Sequence, residues 1–261
     1  MKVGFLQFCP VRNSVVENSE HVSRVLKDAD FDLLVLPELS NSGYLYADRD
    51  SLKKNSEPAD GSGIFLNALY TLCQKMKTCI ITGFSELSNG HIFNSAVAIS
   101  DRGILAHYRK IHLYNTEKEL FEPSDTGFSI FEYQSVKIGM MICFDWIFPE
   151  ASRKLAMDGA QIIAHPANLV TPYCQPSMIT RSIENQVFII TSNRIGKEIS
   201  GSSSIRFTGK SQVTSPKGTI ITRANQFQDK LEIVVIDPSL AIDKYFSDKN
   251  DLFEDRRPQF Y

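Results

Sequence analysis

The stretch Val136-Lys-Ile-Gly-Met-Met-Ile-Cys143-Phe-Asp-Trp-Ile-Phe-Pro-Glu150 decides the fold, because a mostly apolar run ends there at a cysteine and then becomes polar. The run over residues 137–142 is short and has polar neighbours, which is typical of a buried strand rather than a helix. Helical character begins near Glu150, so the sequence predicts that Cys143 lies at a sharp strand-to-helix turn. Such a turn exposes a nucleophile and directs backbone N–H groups towards it. The alternative is that Cys143 is a small buried core residue, as most free cysteines are.

The composition is that of an ordinary globular protein with a sizeable core. The chain has 261 residues, of which 43% are hydrophobic and 22% are charged, and this is enough for one large α/β domain or two small ones. The formal net charge is −2 without a sustained run of Lys or Arg, which indicates neither nucleic acid nor an anionic membrane as a partner. No apolar segment reaches the roughly 18–20 residues that span a bilayer, and the first eight residues read as a strand rather than a signal peptide. These features predict a cytoplasmic protein with a small-molecule substrate.

The cysteines and histidines do not form a recognisable framework. The five cysteines have irregular spacing, lack a Cys-x-x-Cys pair, and stand at positions 9, 73, 79, 143 and 174. An odd number with this spacing argues against both a disulfide framework and a zinc site. The five histidines do not form His-Glu-x-x-His. We therefore expect neither a metal ion nor another cofactor.

Apolar patterning along the chain alternates between strands and helices. Strands are predicted over residues 2–8, 31–37, 79–86, 91–100, 103–110, 137–142, 161–165, 187–193, 210–214, 219–222 and 231–237. Helices are predicted over residues 14–29, 64–76, 151–159, 178–186 and 238–246, and polar loops over residues 117–125 and 201–204. The turn at residues 101–103 joins antiparallel strands, so the sheet is predicted to be mixed. Without an internal repeat or a linker, the prediction is a single domain over residues 1–261 with a charged tail over residues 247–261.

Three chemically capable side chains each follow a predicted strand: Glu38, Lys110 and Cys143. In open α/β layers, ligands bind beyond the carboxyl ends of the strands. A free thiol has a pKa of about 8.5 and needs a base and a nearby cation to act as a nucleophile. A carboxylate can take the proton, and a lysine can hold the anion that forms on the substrate. Glu38 at this position also has a simpler interpretation, in which it caps or solvates its loop.

A cysteine–histidine pair is the rival arrangement, with His165 or His112 as the base. His112 lies two residues beyond Lys110, and the direction of its side chain is open. His165 follows a predicted strand, where a histidine is more often a hydrogen-bonded structural residue. We therefore favour the carboxylate of Glu38 over either imidazole.

Three blocks of the sequence resemble the signature blocks of the nitrilase superfamily, the carbon–nitrogen hydrolases. They are Leu36-Pro37-Glu38, residues 108–113 (Tyr-Arg-Lys-Ile-His-Leu) and residues 139–150, in the order in which the family has them. The resemblance continues through residues 165–169, 181–185 and 191–196, and so covers about residues 2–255. It implies an α/β fold of the four-layer αββα sandwich type with two mixed β-sheets, no metal, and a homodimer in which two sandwiches pack against each other.

The resemblance also implies roles for particular residues. Glu38 would be the general base, Cys143 the nucleophile and Lys110 the cation that stabilises the tetrahedral intermediate. The family's additional glutamate maps to Glu117, with Glu119 as the other candidate. The loop departs from the family pattern because Ser124 stands where a glycine is usual.

The chemistry implied is the hydrolysis of a non-peptide C–N bond through a covalent cysteine intermediate, with release of ammonia and a carboxylic acid. The substrate would be a small amide, an N-carbamoyl compound or a nitrile, and the three catalytic residues do not choose among these. The alternative is a catalytically silent family member that binds a small metabolite or a protein partner. The presence of all three catalytic residue types argues against that alternative.

Five residues are candidates to contact the substrate, because they follow the catalytic strands or lie in neighbouring loops: Tyr44, Phe144, Trp146, Asn168 and Tyr173. Phe144 would contribute its backbone N–H to the developing oxyanion. Packing in the core is the alternative for Trp146, and capping a loop is the alternative for Asn168. The tail is predicted to cross to a partner subunit, or else to be a solvated terminus.

Overall fold

Two six-stranded sheets form the centre of the molecule within residues 1–260, which are the residues that the computed structural model describes. The strands are β1 (Lys2–Gln7), β2 (Leu33–Val35), β3 (Cys79–Ser88), β4 (His91–Ser100), β5 (Gly103–Arg109), β6 (Ile130–Tyr133), β7 (Val136–Met140), β8 (Ile162–Ala167), β9 (Phe188–Asn193), β10 (Lys197–Ser200), β11 (Ser203–Arg206), β12 (Gln212–Thr214), β13 (Ile220–Arg223), β14 (Lys230–Val235), β15 (Tyr245–Ser247) and β16 (Asn250–Asp251). The helices are α1 (Val15–Leu26), α2 (Arg49–Lys53), α3 (Ile64–Met76), α4 (Glu117–Leu120), α5 (Pro149–Met157) and α6 (Cys174–Asn185).

Both sheets are mixed, as the sequence predicted. The first has the order β14-β1-β2-β3-β4-β5, with β1, β2 and β3 parallel and the remaining pairs antiparallel. The second has the order β13-β12-β9-β8-β7-β6, with β7, β8 and β9 parallel. Because β5 runs in the same direction as β2, Glu38 and Lys110 leave the first sheet at the same edge. Cys143 leaves the second sheet, after β7.

The sheets pack face to face, and helices cover their outer faces. Leu33 and Val35 of β2 belong to the core between the sheets, whereas Leu34 of β2 and Leu36, which follows the strand, pack beneath α1 and α3. Both faces of the strand are therefore buried, which explains why it reads as a continuous apolar run rather than an alternating one. Leu155 of α5 packs on the second sheet. The layers are thus α, β, β and α, which confirms the predicted sandwich.

The predicted strand-to-helix turn at Cys143 is confirmed. After β7 ends, a 3₁₀ turn runs over Cys143–Ile147, and α5 begins at Pro149, a favourable residue at the first helical position. A Cβ on Gly139 of β7 would lie 2.8 Å from a side-chain carbon of Leu155. A glycine at position 139 therefore allows α5 to pack closely on the strand that carries the cysteine.

The predicted helix over residues 238–246 is wrong. A 3₁₀ turn over Pro238–Ala241 is followed by the extended strand β15, which pairs with β16 in a small hairpin. The Lys244 ammonium donates to the carbonyl oxygens of Asn185 and Gln186 at 3.1 and 2.9 Å, and these groups end α6. The chain is held extended across that helix end by tertiary contacts, which outweigh its local helical preference. Tyr261, the last residue of the predicted tail, lies outside the described residues.

Two predicted polar loops contain regular structure. Residues 117–125 begin with the single helical turn α4, whose first residue, Glu117, is buried. Residues 201–204 form the turn of the β10–β11 hairpin and the start of β11. The first element is held by the burial of Glu117, and the second by local pairing with β10.

Two absences apply to residues 1–260. None of their helices is long and apolar enough to cross a membrane. They also contain no group of three or more His, Cys, Asp or Glu side chains that could hold a metal ion. The predicted cytoplasmic location stays a prediction.

Candidate active site

Glu38 lies in a tight turn beyond β2 that packs against Gly83 of β3. The Gly83 N–H donates to the carbonyl oxygen of Pro37 at 3.1 Å, and the Ser40 N–H donates to the carbonyl oxygen of Gly83 at 2.9 Å. A Cβ on Gly83 would come within 2.4 Å of the Glu38 Cα, so only glycine permits this approach. The turn that carries Glu38 is therefore shaped by the neighbouring strand.

The Glu38 carboxylate is fully buried, and only one of its oxygens is occupied. Its Oε1 accepts hydrogen bonds from Lys110 Nζ at 2.6 Å and from Asn94 Nδ2 at 2.7 Å. Its Oε2 has no hydrogen-bond partner within the described chain. The two donors thus orient the carboxylate and leave a free oxygen that is able to accept a proton.

Lys110 follows β5 and lies buried between two carboxylates. Its Nζ donates to Glu38 at 2.6 Å and to Glu117 Oε2 at 2.7 Å. Burial lowers the pKa of Lys110, but the negative charges of Glu117 and Glu38 outweigh burial and raise it above its usual value. The ammonium therefore stays charged at neutral pH and is held by the two carboxylates.

Glu117 is the buried glutamate of the loop after the lysine, whereas Glu119 is exposed. The Tyr114 N–H donates to its Oε2 at 3.1 Å, and the Tyr44 hydroxyl donates to its Oε1 at 2.9 Å. Burial raises the pKa of Glu117, although the Lys110 charge opposes this. Of the two candidates from the sequence, it is Glu117 that meets Lys110.

Cys143 adopts a left-handed backbone conformation with φ of 40°, which costs a non-glycine residue about 1–2 kcal/mol. Burial and the negative charge of Glu38 raise the pKa of its thiol well above the usual value. The negative charge of Glu117 raises this pKa further, whereas the positive charge of Lys110 and the backbone N–H of Asn168 lower it. The thiol is therefore protonated at rest, under the electrostatic influence of Glu38, Lys110 and Glu117.

His165 supports the backbone of the cysteine turn. Its Nε2–H donates to the carbonyl oxygen of Cys143 at 3.0 Å, and the Thr191 hydroxyl lies 3.2 Å from its Nδ1. Burial lowers the pKa of His165 to about 4, so the ring is neutral at neutral pH. Both ring nitrogens are occupied, which argues against His165 as the base of a cysteine–histidine pair.

His112, the other histidine candidate, is also engaged. Its Nδ1 lies 2.7 Å from Asp145 Oδ1, and its ring stacks on Phe148 with the centroids 3.7 Å apart. Asp145 is fully buried and accepts further hydrogen bonds from the Ile142 N–H at 2.8 Å and the Tyr108 hydroxyl at 2.7 Å. The Asp145 carboxylate therefore links the cysteine turn to the end of β5, which Lys110 directly follows.

A second buried network supports the loop of Tyr44. The Glu198 carboxylate accepts from the backbone N–H groups of Tyr44 and Leu45, the latter at 2.6 Å. Glu198 is paired with the fully buried Arg194, whose guanidinium stacks over Phe207 at 4.0 Å from the ring centroid. The network thus reaches from β10 through Tyr44 to Glu117.

Sequence reasoning missed several of these supporting residues. Asp145 and Tyr108 each lie two residues from a catalytic candidate, so their position was a usable signal. Asn94 and Glu198 are distant in sequence from the residues that they hold, and no local pattern marks them. These four supporting residues hold other residues of the site in position through hydrogen bonds.

A cavity of about 400 Å³ opens beside Cys143. Its walls are mostly apolar and aromatic, and they comprise Tyr114, Cys143, Phe144, Trp146, Ile147, Asn168, Leu169, Val170, Thr171 and Tyr173. Four of the five predicted substrate-contacting residues are in this set. Tyr44 is not, and its hydroxyl contacts Glu117 instead. The side-chain amide of Asn168 has no hydrogen-bond partner among the described residues, so it caps no loop there.

The chain belongs to the carbon–nitrogen hydrolase family, whose model matches residues 3–244. It is 37% identical over 264 residues to a nitrilase of Pyrococcus abyssi, covering 100% of this chain and 99% of that protein. An N-carbamoylputrescine amidase of Solanum lycopersicum is 29% identical over 94% of this chain and 88% of its own length. The crystal structure of a carbon–nitrogen hydrolase from Helicobacter pylori G27 has a TM-score of 0.86 at 25% identity, covering 100% of this chain and 97% of that one. Since one relative is a nitrilase and another an amidase, these similarities support C–N hydrolysis in general and leave the substrate open.

Proposed function

We propose that this protein is a thiol hydrolase that cleaves a non-peptide C–N bond of a small amide, N-carbamoyl compound or nitrile, with Cys143 as the nucleophile. The observation that carries the proposal is the Lys110 ammonium, buried between Glu38 and Glu117, together with the effect of these three charges on the pKa of the Cys143 thiol. Three charges in a buried cluster are costly to maintain unless they are paired and hydrogen-bonded. Their arrangement around a strained cysteine matches the needs of acyl transfer.

The first half of the reaction forms the covalent intermediate. The free Oε2 of Glu38 accepts the thiol proton, and the sulfur attacks the carbon of the amide or nitrile. Lys110 and the backbone N–H of Phe144 stabilise the negative charge that develops on the substrate. Glu38 then returns the proton to the departing nitrogen, and ammonia leaves from an amide to give a thioester.

The second half restores the enzyme. Water adds to the thioester while Glu38 accepts its proton, the carboxylic acid leaves, and the thiol is regenerated. A nitrile first forms a thioimidate, which takes up one water before ammonia is lost, and then follows the same route. Both substrate types therefore use the same residues.

Ammonia release from a panel of small amides, N-carbamoyl compounds and nitriles tests the proposal, with wild type and Cys143→Ala compared on each compound. We expect release by wild type alone, together with an acyl or thioimidate adduct on Cys143 by intact mass spectrometry. Equal release by both proteins on every compound would show that the protein is not a thiol hydrolase. If neither protein releases ammonia from any compound, the silent member that only binds a metabolite or partner is favoured instead.

Glu117→Gln is expected to slow adduct formation by about 10²-fold, because loss of its charge lets the Lys110 ammonium move from its position. The measurement is the single-turnover rate of adduct formation on Cys143. Glu119→Gln is the matched control, since Glu119 is exposed and lies two residues further along α4, and it should react at the wild-type rate. A defect confined to Glu119→Gln would move the role to that residue.

A second copy of this chain is the partner that we propose for the C-terminal segment. Within the tail over residues 247–261, Phe260 is exposed whereas Phe253 packs inward against the core, and the exposed apolar side chains of Leu240, Ile242 and Phe246 come just before the tail. Deletion of the residues after Asn250 is expected to reduce the molar mass measured by light scattering. An unchanged oligomer, with circular dichroism confirming a folded variant, would contradict a role for the tail in assembly.

A further inference from the structure

None of the described side chains that line the cavity beside Cys143 carries a formal charge. Ten described residues line it, and none of them is Asp, Glu, Lys, Arg or His. Aromatic and aliphatic side chains dominate, with Phe144, Trp146 and Val170 among them. Its polar side chains, which include those of Asn168 and Thr171, are neutral. The part of a substrate that extends from Cys143 into this cavity therefore contacts no counter-ion in its lining.

A cation that lies behind the cavity wall, Arg181, is already paired with a carboxylate. Arg181 of α6 forms an ion pair with Glu184 at 3.0 Å and donates to the carbonyl oxygens of Trp146 and Ile147 at 3.4 and 3.5 Å. It therefore braces the backbone behind the cavity wall. Lys110 is likewise committed to Glu38 and Glu117 at the reacting end.

We propose that the site selects substrates whose acyl group is uncharged and apolar. The inference rests on the proposed function and narrows it to one substrate class. Moving a charged group from water into an apolar site without a partner costs several kcal/mol, whereas burying methylene groups is favourable by about 0.8 kcal/mol each. Amides or nitriles of apolar monocarboxylic acids fit this wall. The ω-amides of dicarboxylic acids and N-carbamoyl derivatives of diamines do not.

Two pairs of isosteric amides test the selection. Glutaramate is compared with the amide in which an isopropyl group replaces its carboxylate, and hexanamide with the amide in which an ammonium replaces its terminal methyl. The corresponding nitriles are measured in parallel. We expect kcat/KM to be at least about 100-fold higher for the neutral member of each pair. Equal values within either pair would overturn the inference.

A second test compares two variants of one residue of the cavity lining, of which only one introduces a charge. Thr171→Arg introduces a guanidinium into the lining, and Thr171→Gln introduces a longer neutral side chain at the same position. We expect Thr171→Arg to raise kcat/KM for glutaramate relative to its neutral isostere by about tenfold or more. Thr171→Gln should leave that ratio at its wild-type value. An equal change in both variants would mean that shape, rather than charge, sets the preference.

A second measurement separates this inference from the proposed function. If no compound releases ammonia, the proposed function fails, and charge selection is then read from alkylation of Cys143 by iodoacetamide, iodoacetate and bromoethylammonium. Each rate is divided by that of N-acetylcysteine with the same reagent. We expect the neutral reagent to have the highest ratio. Faster reaction with either charged reagent would contradict an apolar, uncharged cavity.

Discussion

Glu38→Gln is expected to lower kcat by about 10³-fold while leaving the protein folded, because the variant retains an acceptor for Lys110 and Asn94 but has no base. The oxygen that matters is Oε2, which is unpartnered in the described chain. Glutamine places an amide nitrogen or a neutral oxygen there, and neither takes the thiol proton at neutral pH. Losses of 10²–10⁴-fold are typical when a general base is removed. Steady-state ammonia release and thermal unfolding measure the two parts of this expectation.

Asn94→Ala separates the chemical role of Glu38 from its orientation. It removes a hydrogen bond to Oε1 but keeps the carboxylate and the Lys110 contact. We expect a smaller loss in kcat than for Glu38→Gln, with a proton still accepted from the thiol. Activity of Glu38→Gln within tenfold of wild type would contradict the assignment of Glu38 as the base.

Lys110→Met has the second large expected effect, on stability as well as turnover. Removal of the ammonium leaves the carboxylates of Glu38 and Glu117 buried without their shared cation. Loss of one partner from a buried ion pair costs about 3–5 kcal/mol of unfolding free energy. Turnover should also disappear, since the developing oxyanion loses its charged donor. Urea unfolding gives the first quantity, and ammonia release gives the second.

The double variant Lys110→Met/Glu117→Gln is the control for the electrostatic cause. It removes one of the two repelling carboxylates, so it should be more stable than Lys110→Met while remaining inactive. The deficit of the single variant should also shrink as the pH falls, because protonation of one carboxyl relieves the repulsion. A double variant that is no more stable than the single one would show that lost packing, rather than unpaired charge, explains the deficit.

Glu38, Lys110 and Cys143 could be predicted from sequence because each of them comes within three residues of the end of a strand. Short apolar runs identify β2, β5 and β7, and parallel direction brings Glu38 and Lys110 to one edge of the first sheet. The strand-to-helix turn at Cys143 could likewise be predicted from a single local stretch, residues 136–150. The sandwich itself followed from the family resemblance, since periodicity alone does not say how two sheets pack.

The supporting residues could not be predicted because their partners are distant along the chain. Glu198 holds the backbone of Tyr44, which lies 154 residues away. The extended segment around Lys244 was mistaken for a helix for a similar reason, since its three carbonyl acceptors include two at the end of α6. In both cases, burial and hydrogen bonds to residues distant in the sequence outweigh the structural preference of the local sequence.

The proposed reacting groups come from different halves of the molecule: Glu38 and Lys110 follow strands of the first sheet, and Cys143 follows a strand of the second. In the proposed mechanism, the apolar core between the sheets and the Asp145 contacts to the end of β5 together set the distance between base and nucleophile. Slippage of one sheet across the other would separate them while every strand kept its hydrogen bonds. Under this mechanism, turnover depends on the alignment of the two sheets. We therefore expect a low concentration of denaturant to abolish turnover before secondary structure is lost.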